Sequence, residues 1–306
     1  FHLMEIALVL AEKNPSYEGL AIKFFEHYVY IAAALRKGYW RSYDMLNKED
    51  GFFYSVIQKE QGENVLLKIR SLVGIIPFFA SQFLEKSYLE KFPRFYSSFS
   101  WILENRTPLV ASCIEKIDTK KGSFYFFSLL SQKELPKFLS YLVDEEEFLS
   151  PFGLRSLSKH HQKHPFTYQD EILRYEPGES LEGLKGGNSN WRGPVWFPTT
   201  YLFLDTLRNL STMWGEEFSF SFQNEEYTLE KIADIYAERL IKIFQKEGEK
   251  KPFLGESEKL QKDPNFQKYY QFFEYFHAET GKGLGASHQP GWTALIANIL
   301  FEKKTK

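Results

Sequence analysis

The sequence predicts an all-α protein, an α/α toroid or barrel with minor β-hairpins in its loops. Two observations carry this. Roughly eight to ten segments repeat their apolar residues at the period of a helix rather than of a strand. These segments are joined alternately by short turns and by long loops rich in glycine and aromatic residues. Helical hairpins that carry their functional loops at one end give that pattern. No strict internal repeat accompanies it.

Residues 2–11 read as the first helix, with Leu3, Ile6, Ala7 and Leu10 on one face. Asn14-Pro15 breaks it, because proline lacks the N–H that a helix interior needs. A second helix starts at Pro15 and Ser16 and aligns Leu20, Phe24, His27, Tyr28, Ile31 and Leu35; Gly38 ends it. The two read as an antiparallel pair. Glu49-Asp50-Gly51 is a turn into a short strand over 52–57. A third helix is predicted over 65–83, kinked before Pro77, then a short one over 84–92 and another over 95–105. Residues 124–127 form a strand or a connection, and 131–142 have helix spacing at Leu135, Phe138, Leu139 and Leu142.

Residues 144–187 hold no long periodic segment, and structureless stretches of that length in a compact domain are usually functional. Helix spacing returns over 198–213. Phe218, Phe220 and Phe222 alternate with serines, as in a small hairpin strand. Thr228 is placed to cap a helix over 229–244. Residues 248–268 are charged and read as surface, and a last helix is predicted over 291–301.

The 306 residues suffice for one large core or two modest ones. A net charge of −2 leaves no basic excess, so nucleic acid is not an expected partner. Aromatic residues make up 18% of the chain, more than a core requires, so some are expected to line a cleft. Cys113 is the only cysteine, which excludes an internal disulfide and any cysteine-built metal site. It suits a reducing compartment, and a cytoplasmic location is expected. No apolar run reaches the roughly 18 residues of a membrane span; the longest candidate is broken by Arg70, Ser71 and Pro77. No membrane association and no signal peptide are expected. The chain opens on Phe1-His2-Leu3-Met4, inside a helix, and is expected to be a piece of a longer polypeptide.

The densest chemistry lies at 186–196, where glycines, amides, two indoles and a guanidinium follow one another through Asn190, Trp191, Arg192 and Trp196. Sugars need hydrogen bonds for their hydroxyls and a flat apolar face for the C–H side of the ring, and these residue types supply both. A tight turn capped by core tryptophans fits the same residues. Glu274 sits among Phe272, Phe273, Tyr275 and Phe276. A carboxylate beside so many rings is costly without a task or a partner, although an exposed Glu at an aromatic helix end also fits. The glycine-rich run 281–289 lacks the Gly-Lys-Ser/Thr ending of a phosphate cradle and sets His288 and Gln289 next to Trp292, although a plain turn between helices also fits. His160, His161 and His164 have ligand-like spacing, but Lys159, Lys163 and Pro165 favour a solvated face, so no metal is expected. No cofactor is expected either.

The ordered set Asn190-Trp191-Arg192-Gly193-Pro194-Val195-Trp196, Phe273-Glu274-Tyr275-Phe276, Thr280-Gly281 and Gly291-Trp292-Thr293-Ala294-Leu295 resembles glycoside hydrolase family 63. The resemblance is to the bacterial branch named for mannosyl-oligosaccharide glucosidase. Asp50-Gly51-Phe52-Phe53-Tyr54, Ile69-Arg70-Ser71-Leu72-Val73-Gly74, the stretch 147–158 and Tyr175-Glu176-Pro177-Gly178-Glu179-Ser180 extend it over nearly the whole chain. It implies an (α/α)6 barrel, here the C-terminal part of one catalytic domain and incomplete at its N-terminus. It also implies hydrolysis of an α-glycoside with inversion, by two carboxyl groups. Glu274 resembles the family's general base, and Trp191 and Arg192 resemble sugar-site residues. Asn190, Trp196, Phe152, Arg155, His288, Gln289 and Trp292 lie in matching loops. The family's general acid is an Asp expected upstream of Phe1, so the isolated chain is expected to lack turnover.

Departures accompany the likeness. The family's Trp-Asp-Glu-Glu-Asp-Gly turn is Leu46-Asn47-Lys48-Glu49-Asp50-Gly51 here, and Ser55 stands where relatives often carry Asp. Three readings therefore stand. The first is an inverting α-glucosidase or α-mannosidase with Glu274 as base. The second is a carbohydrate-binding relative without catalysis. The third is a helical scaffold, which leaves the Asn-Trp-Arg-Gly loop and the aromatic excess unexplained. The sugar, the aglycone and the oligomeric state are not legible in the motifs.

Overall fold

Proline and an asparagine cap divide the first two helices, as their sequence demands. In the computed structural model, which describes residues 1–36, 43–58, 64–119, 122–180 and 191–305, helix α1 is His2–Ala11 and helix α2 is Glu18–Leu35. Between them a single turn, Pro15–Tyr17, is capped by the Asn14 side chain, which accepts the Ser16 N–H at 3.1 Å. The predicted end at Gly38 lies outside the described residues, as do Asn190 and residues 186–189. The described chain divides into two units, residues 1–67 with 73–136 and residues 68–72 with 137–306.

In the first unit, α1 packs on α2, and α2 packs on α3 (Pro93–Asn105) and, through Phe25 and Tyr28, on Phe127 of a three-stranded antiparallel sheet. Its strands are β1 (Gln82–Glu85), β2 (Ile114–Thr119) and β3 (Gly122–Phe127), with β3 in the centre. The core is aromatic: Phe25 lies 5.0 Å from Phe99, and Phe99 lies 4.7 Å edge-on from Tyr125. Each such ring contributes about 1.5–3 kcal/mol by leaving water. Buried Glu18 accepts the Phe95 N–H at 2.9 Å and so ties α2 to the start of α3. The expected inward face of α1 is corrected. Met4, Ala7, Leu8 and Ala11 point inward, whereas Leu3, Ile6 and Leu10 are exposed. In α2, Phe25, Val29 and Ala32 are buried, while Leu20 is 40% and Ile31 62% exposed. Both helices thus carry a second apolar stripe.

In the second unit, α4 (Phe197–Trp214) packs along α5 (Leu229–Lys242). Phe203 meets Tyr236 edge-on at 4.9 Å, and the Tyr236 hydroxyl donates to the Leu142 carbonyl at 2.6 Å. Thr228 caps α5 as predicted, accepting the Lys231 N–H at 3.2 Å. The serine–phenylalanine alternation forms the hairpin Ser219–Phe222 with Glu225–Thr228. Gln223 and Asn224 turn it at φ of 50° and 65°, the left-handed pair that suits a two-residue hairpin.

The all-α expectation is overturned. Among the described residues, fifteen strands in seven small sheets stand beside the helices, and the architecture is mixed. The stretch 65–83 shows why. Val65–Leu67 pairs with Ser55–Ile57, Ile76–Ala80 is a tight turn with Pro77 in its first positions, and Gln82–Glu85 joins the sheet. Short apolar runs look alike in strands and helices, and here cross-strand partners decided. Residues 248–268 are not all surface. Lys251 is fully buried, donating to the Phe266 and Tyr269 carbonyls at 2.8 Å each, beside buried Phe253 and Leu254. Among the described residues no helix is long and apolar enough to cross a membrane.

Candidate active site

Three segments far apart in sequence meet at Val195. Its backbone exchanges hydrogen bonds with Phe276, N to O at 2.8 Å and O from N at 2.9 Å, and it bridges Arg155 on its other side. A fourth segment joins them, since Glu176 N–H donates to the Arg192 carbonyl and Ala278 N–H to the Pro177 carbonyl, both at 2.8 Å. The loops around 155, 176, 195 and 276 thereby form one frame, held by main-chain bonds that are indifferent to side-chain identity.

On this frame the rings stack into a column. Trp191 lies on Trp196 at 4.2 Å and 7°, and Trp196 lies on Tyr275 at 4.6 Å and 20°. Trp292 leans against Trp196 at 6.3 Å. Tyr275 and Trp196 are buried, whereas Trp191 is 45% exposed. The column therefore ends in an indole face open to water and braced from behind. A braced, flat apolar face is what the C–H side of a pyranose packs on.

Glu274 opens the hairpin of β4 (Tyr275–Phe276) and β5 (Gly283–Leu284). Its N–H donates to the Ala286 carbonyl at 3.0 Å, and its Oε2 accepts the Ala286 N–H at 2.9 Å. The Trp292 indole N–H donates to the Glu274 carbonyl at 2.9 Å, and the Thr293 hydroxyl to the Phe273 carbonyl at 2.7 Å. The residue is half-buried. One carboxylate oxygen is thus fixed. Among the described residues the other, Oε1, makes no hydrogen bond and is left to a water or a ligand.

The other candidates separate into exposed and buried groups. His288 is exposed, its ring 5.7 Å from Phe272. Gln289 caps the short helix Pro290–Thr293 by accepting the Gly291 N–H at 2.8 Å. Phe152 is buried with Lys242 5.1 Å over its ring. Arg192 is buried and lies 3.5 Å from Glu176. Arg155 is buried too, and its donors go to protein groups: the Glu145, Glu147 and Leu149 carbonyls, Tyr175 and Glu279. Neither guanidinium faces solvent in this state. Glu279 was not singled out in the sequence, and Tyr175 entered only as the first residue of a stretch that resembles the family, with no role given.

The histidine cluster has a structural occupation. His161 Nε2 accepts the Arg70 N–H at 3.0 Å, and its Nδ1 lies 3.0 Å from the His164 carbonyl. His160 stacks on His164 at 4.6 Å. Burial, reinforced by Arg70, His161 and His164, holds the His160 pKa down at about 4. An ordinary histidine titrates near 6.5, so between these values the folded state binds fewer protons than the unfolded chain. The His160 contribution to stability is present above about pH 6.5 and is lost as the pH falls towards 4. Thermal melts across that window are expected to show a falling Tm, and His160→Gln to flatten the fall. An unaltered slope would remove His160 as the cause.

An indole platform and a fixed carboxylate share this frame of loops, and the class of protein follows from comparison with known sequences. Residues 123–293 match the mannosylglycerate hydrolase MGH1-like glycoside hydrolase domain, and the chain belongs to that family. It is 40% identical to an uncharacterized protein of Saccharomyces cerevisiae, over 98% of this chain and 30% of that protein. It is 29% identical to the mannosyl-oligosaccharide glucosidase of the same yeast and 25% identical to a probable mannosyl-oligosaccharide glucosidase of Schizosaccharomyces pombe. Each of these covers 55% of this chain and 15% of the relative. The chain thus spans under a third of the length of these relatives.

Proposed function

We propose that this chain supplies the general base and a sugar platform to an inverting α-glycoside hydrolase of the α-glucosidase or α-mannosidase type. The observation that carries the reading is Glu274, with Oε2 tied to the Ala286 N–H and Oε1 open, next in sequence to Tyr275, which stacks on Trp196 and through it braces Trp191. With the sugar packed on Trp191, Oε1 accepts a proton from a water as that water attacks the anomeric carbon. The leaving oxygen departs from the opposite face, protonated by a carboxylic acid roughly 6.5–9.5 Å from the base. Attack opposite the leaving group turns an α-glycoside into a β-product.

The acid is assigned to polypeptide beyond these residues, and the chain to the C-terminal part of a larger catalytic domain. Two observations support this. The yeast relative that matches 98% of this chain is more than three times as long. The outer stripes of α1 and α2, with Leu3, Ile6, Leu20 and Ile31 exposed, have the two-sided apolar character of helices built into a larger core. A cytoplasmic location belongs to the same proposal, since the one cysteine, Cys113, is buried and the fold rests on no internal disulfide. The relatives' names make glucosylated mannose oligosaccharides and mannosylglycerate the first substrates to try.

The test is hydrolysis of a panel of α-glucosides and α-mannosides by the protein at its full natural length, with the first-formed anomer read by proton NMR. The β-anomer is expected first, and the isolated 306 residues are expected to bind sugar without turnover. An α-anomer formed first overturns inversion. Sugar binding that needs Trp191 but no hydrolysis of any substrate would leave the protein a carbohydrate-binding relative.

A further inference from the structure

We infer that Glu279, held by Arg155 and Tyr175, is a positioning residue for Glu274: an ion pair at the tip of the β4–β5 hairpin sets the orientation of the carboxylate at its open end. The inference rests on the reading of Glu274 as the base.

Arg155 makes a rigid anchor. Its Nη1 donates to three carbonyls, Glu145 at 2.9 Å, Glu147 at 3.2 Å and Leu149 at 2.7 Å. The rest of the guanidinium turns to Glu279 Oε1, from Nη2 at 2.8 Å and from Nε at 3.0 Å. The Tyr175 hydroxyl accepts from Nε at 3.0 Å and donates to the same Oε1 at 2.6 Å. One carboxylate oxygen thus takes three hydrogen bonds against a fully buried cation. Burial of Glu279 opposes its ionisation, but Tyr175 and Arg155 outweigh it and hold the carboxyl below its ordinary range.

The turn between the strands transmits this hold. His277 N–H donates to the Lys282 carbonyl at 2.8 Å, Gly281 N–H to the His277 carbonyl at 2.9 Å, and Glu279 N–H to His277 Nδ1 at 3.2 Å. From that closed turn the strands run back to Glu274 and Ala286, which bond each other twice. Arg155 also holds the hairpin midway, because its backbone bridges Val195 and Val195 pairs with Phe276. The hairpin is therefore fixed at its tip and its middle, and Trp292 and Thr293 hold its open end, so release of the tip removes one of three points that set the seat of Glu274. Misplacement of a catalytic group by about 1 Å costs on the order of 10²-fold in rate.

The experiment compares Glu279→Gln, Glu279→Asp and Tyr175→Phe in the full-length protein, reading kcat and KM together with hydrogen exchange at the Glu274 and Ala286 amides. Glu279→Gln is expected to lower kcat by about 10²-fold with KM changed less than about two-fold. Tyr175→Phe, which keeps the ion pair, is expected to cost about 10-fold, and Glu279→Asp to recover part of the loss. The two amides are expected to exchange faster in both Gln and Phe variants, while those of α5 keep their protection. Unchanged kcat and exchange in the folded variants would overturn the inference, and Tyr175→Phe decides alone if Glu279→Gln does not fold. If the wild-type protein hydrolyses no glycoside, the reading of the site fails, and exchange at the two amides still decides whether Glu279 positions Glu274.

Discussion

Glu274→Gln is expected to lower kcat for α-glycoside hydrolysis by about 10²–10⁴-fold, the usual contribution of a positioned base, and to leave sugar affinity nearly unchanged. The amide has the shape of the carboxylate. Its oxygen still accepts the Ala286 N–H that now meets Oε2 at 2.9 Å, so the hairpin keeps its closing bond. The amide nitrogen that replaces Oε1 can donate to a water but cannot take its proton. The loss therefore falls on the chemical step and not on binding, because the platform of Trp191 on Trp196 is untouched. Trp191→Ala should show the converse pattern, since it removes the exposed face and leaves the carboxylate in place. Steady-state kinetics on the full-length protein, with sugar binding by calorimetry, separate the two. Activity of Glu274→Gln within about three-fold of wild type would be far smaller than the loss of a base predicts, and would remove Glu274 from that role.

The sequence spoke most clearly where the signal was local and long. Helix α5 could be read from its period and from Thr228, because both the cap and the apolar face lie within one segment. Residues 65–83 could not, since an apolar run becomes a strand only when Ser55–Ile57 or Gly122–Phe127 comes to pair with it. The faces of α1 misled for a related reason. Leu3, Ile6 and Leu10 are the larger side chains, yet Ala7 and Ala11 are buried, and small residues allow two helices to approach closely. At the site, Glu274, Trp191 and Trp292 stood out through their neighbours in sequence. The deep burial of Arg155 did not, because it depends on Glu279, 124 residues away. The pairing of Tyr175 with Glu279 was hidden for the same reason, since nothing within a few residues of either shows that the other is its partner.

Gly285→Ala is expected to reduce kcat by about 10²-fold, the cost of displacing a catalytic group by about an ångström. Gly285 has a φ of 67°, where an added Cβ is strained in any setting. Here that Cβ would also lie 2.5 Å from Glu274 Oε2 and 2.6 Å from the Tyr275 ring. The ring cannot yield easily, because Tyr275 is buried and stacked on Trp196. The carboxylate must move instead, and it then loses the Ala286 N–H that fixes it. Gly215 provides the control. Its φ is 53°, and nothing lies within 4 Å of where its Cβ would stand. Gly215→Ala should therefore show the backbone strain alone, about 1–3 kcal/mol of stability, with kcat unchanged. Melting temperatures and kcat measured on both variants distinguish strain from displacement. A Gly285→Ala protein that melts like Gly215→Ala but turns over like wild type would mean that the orientation of Glu274 does not limit the reaction.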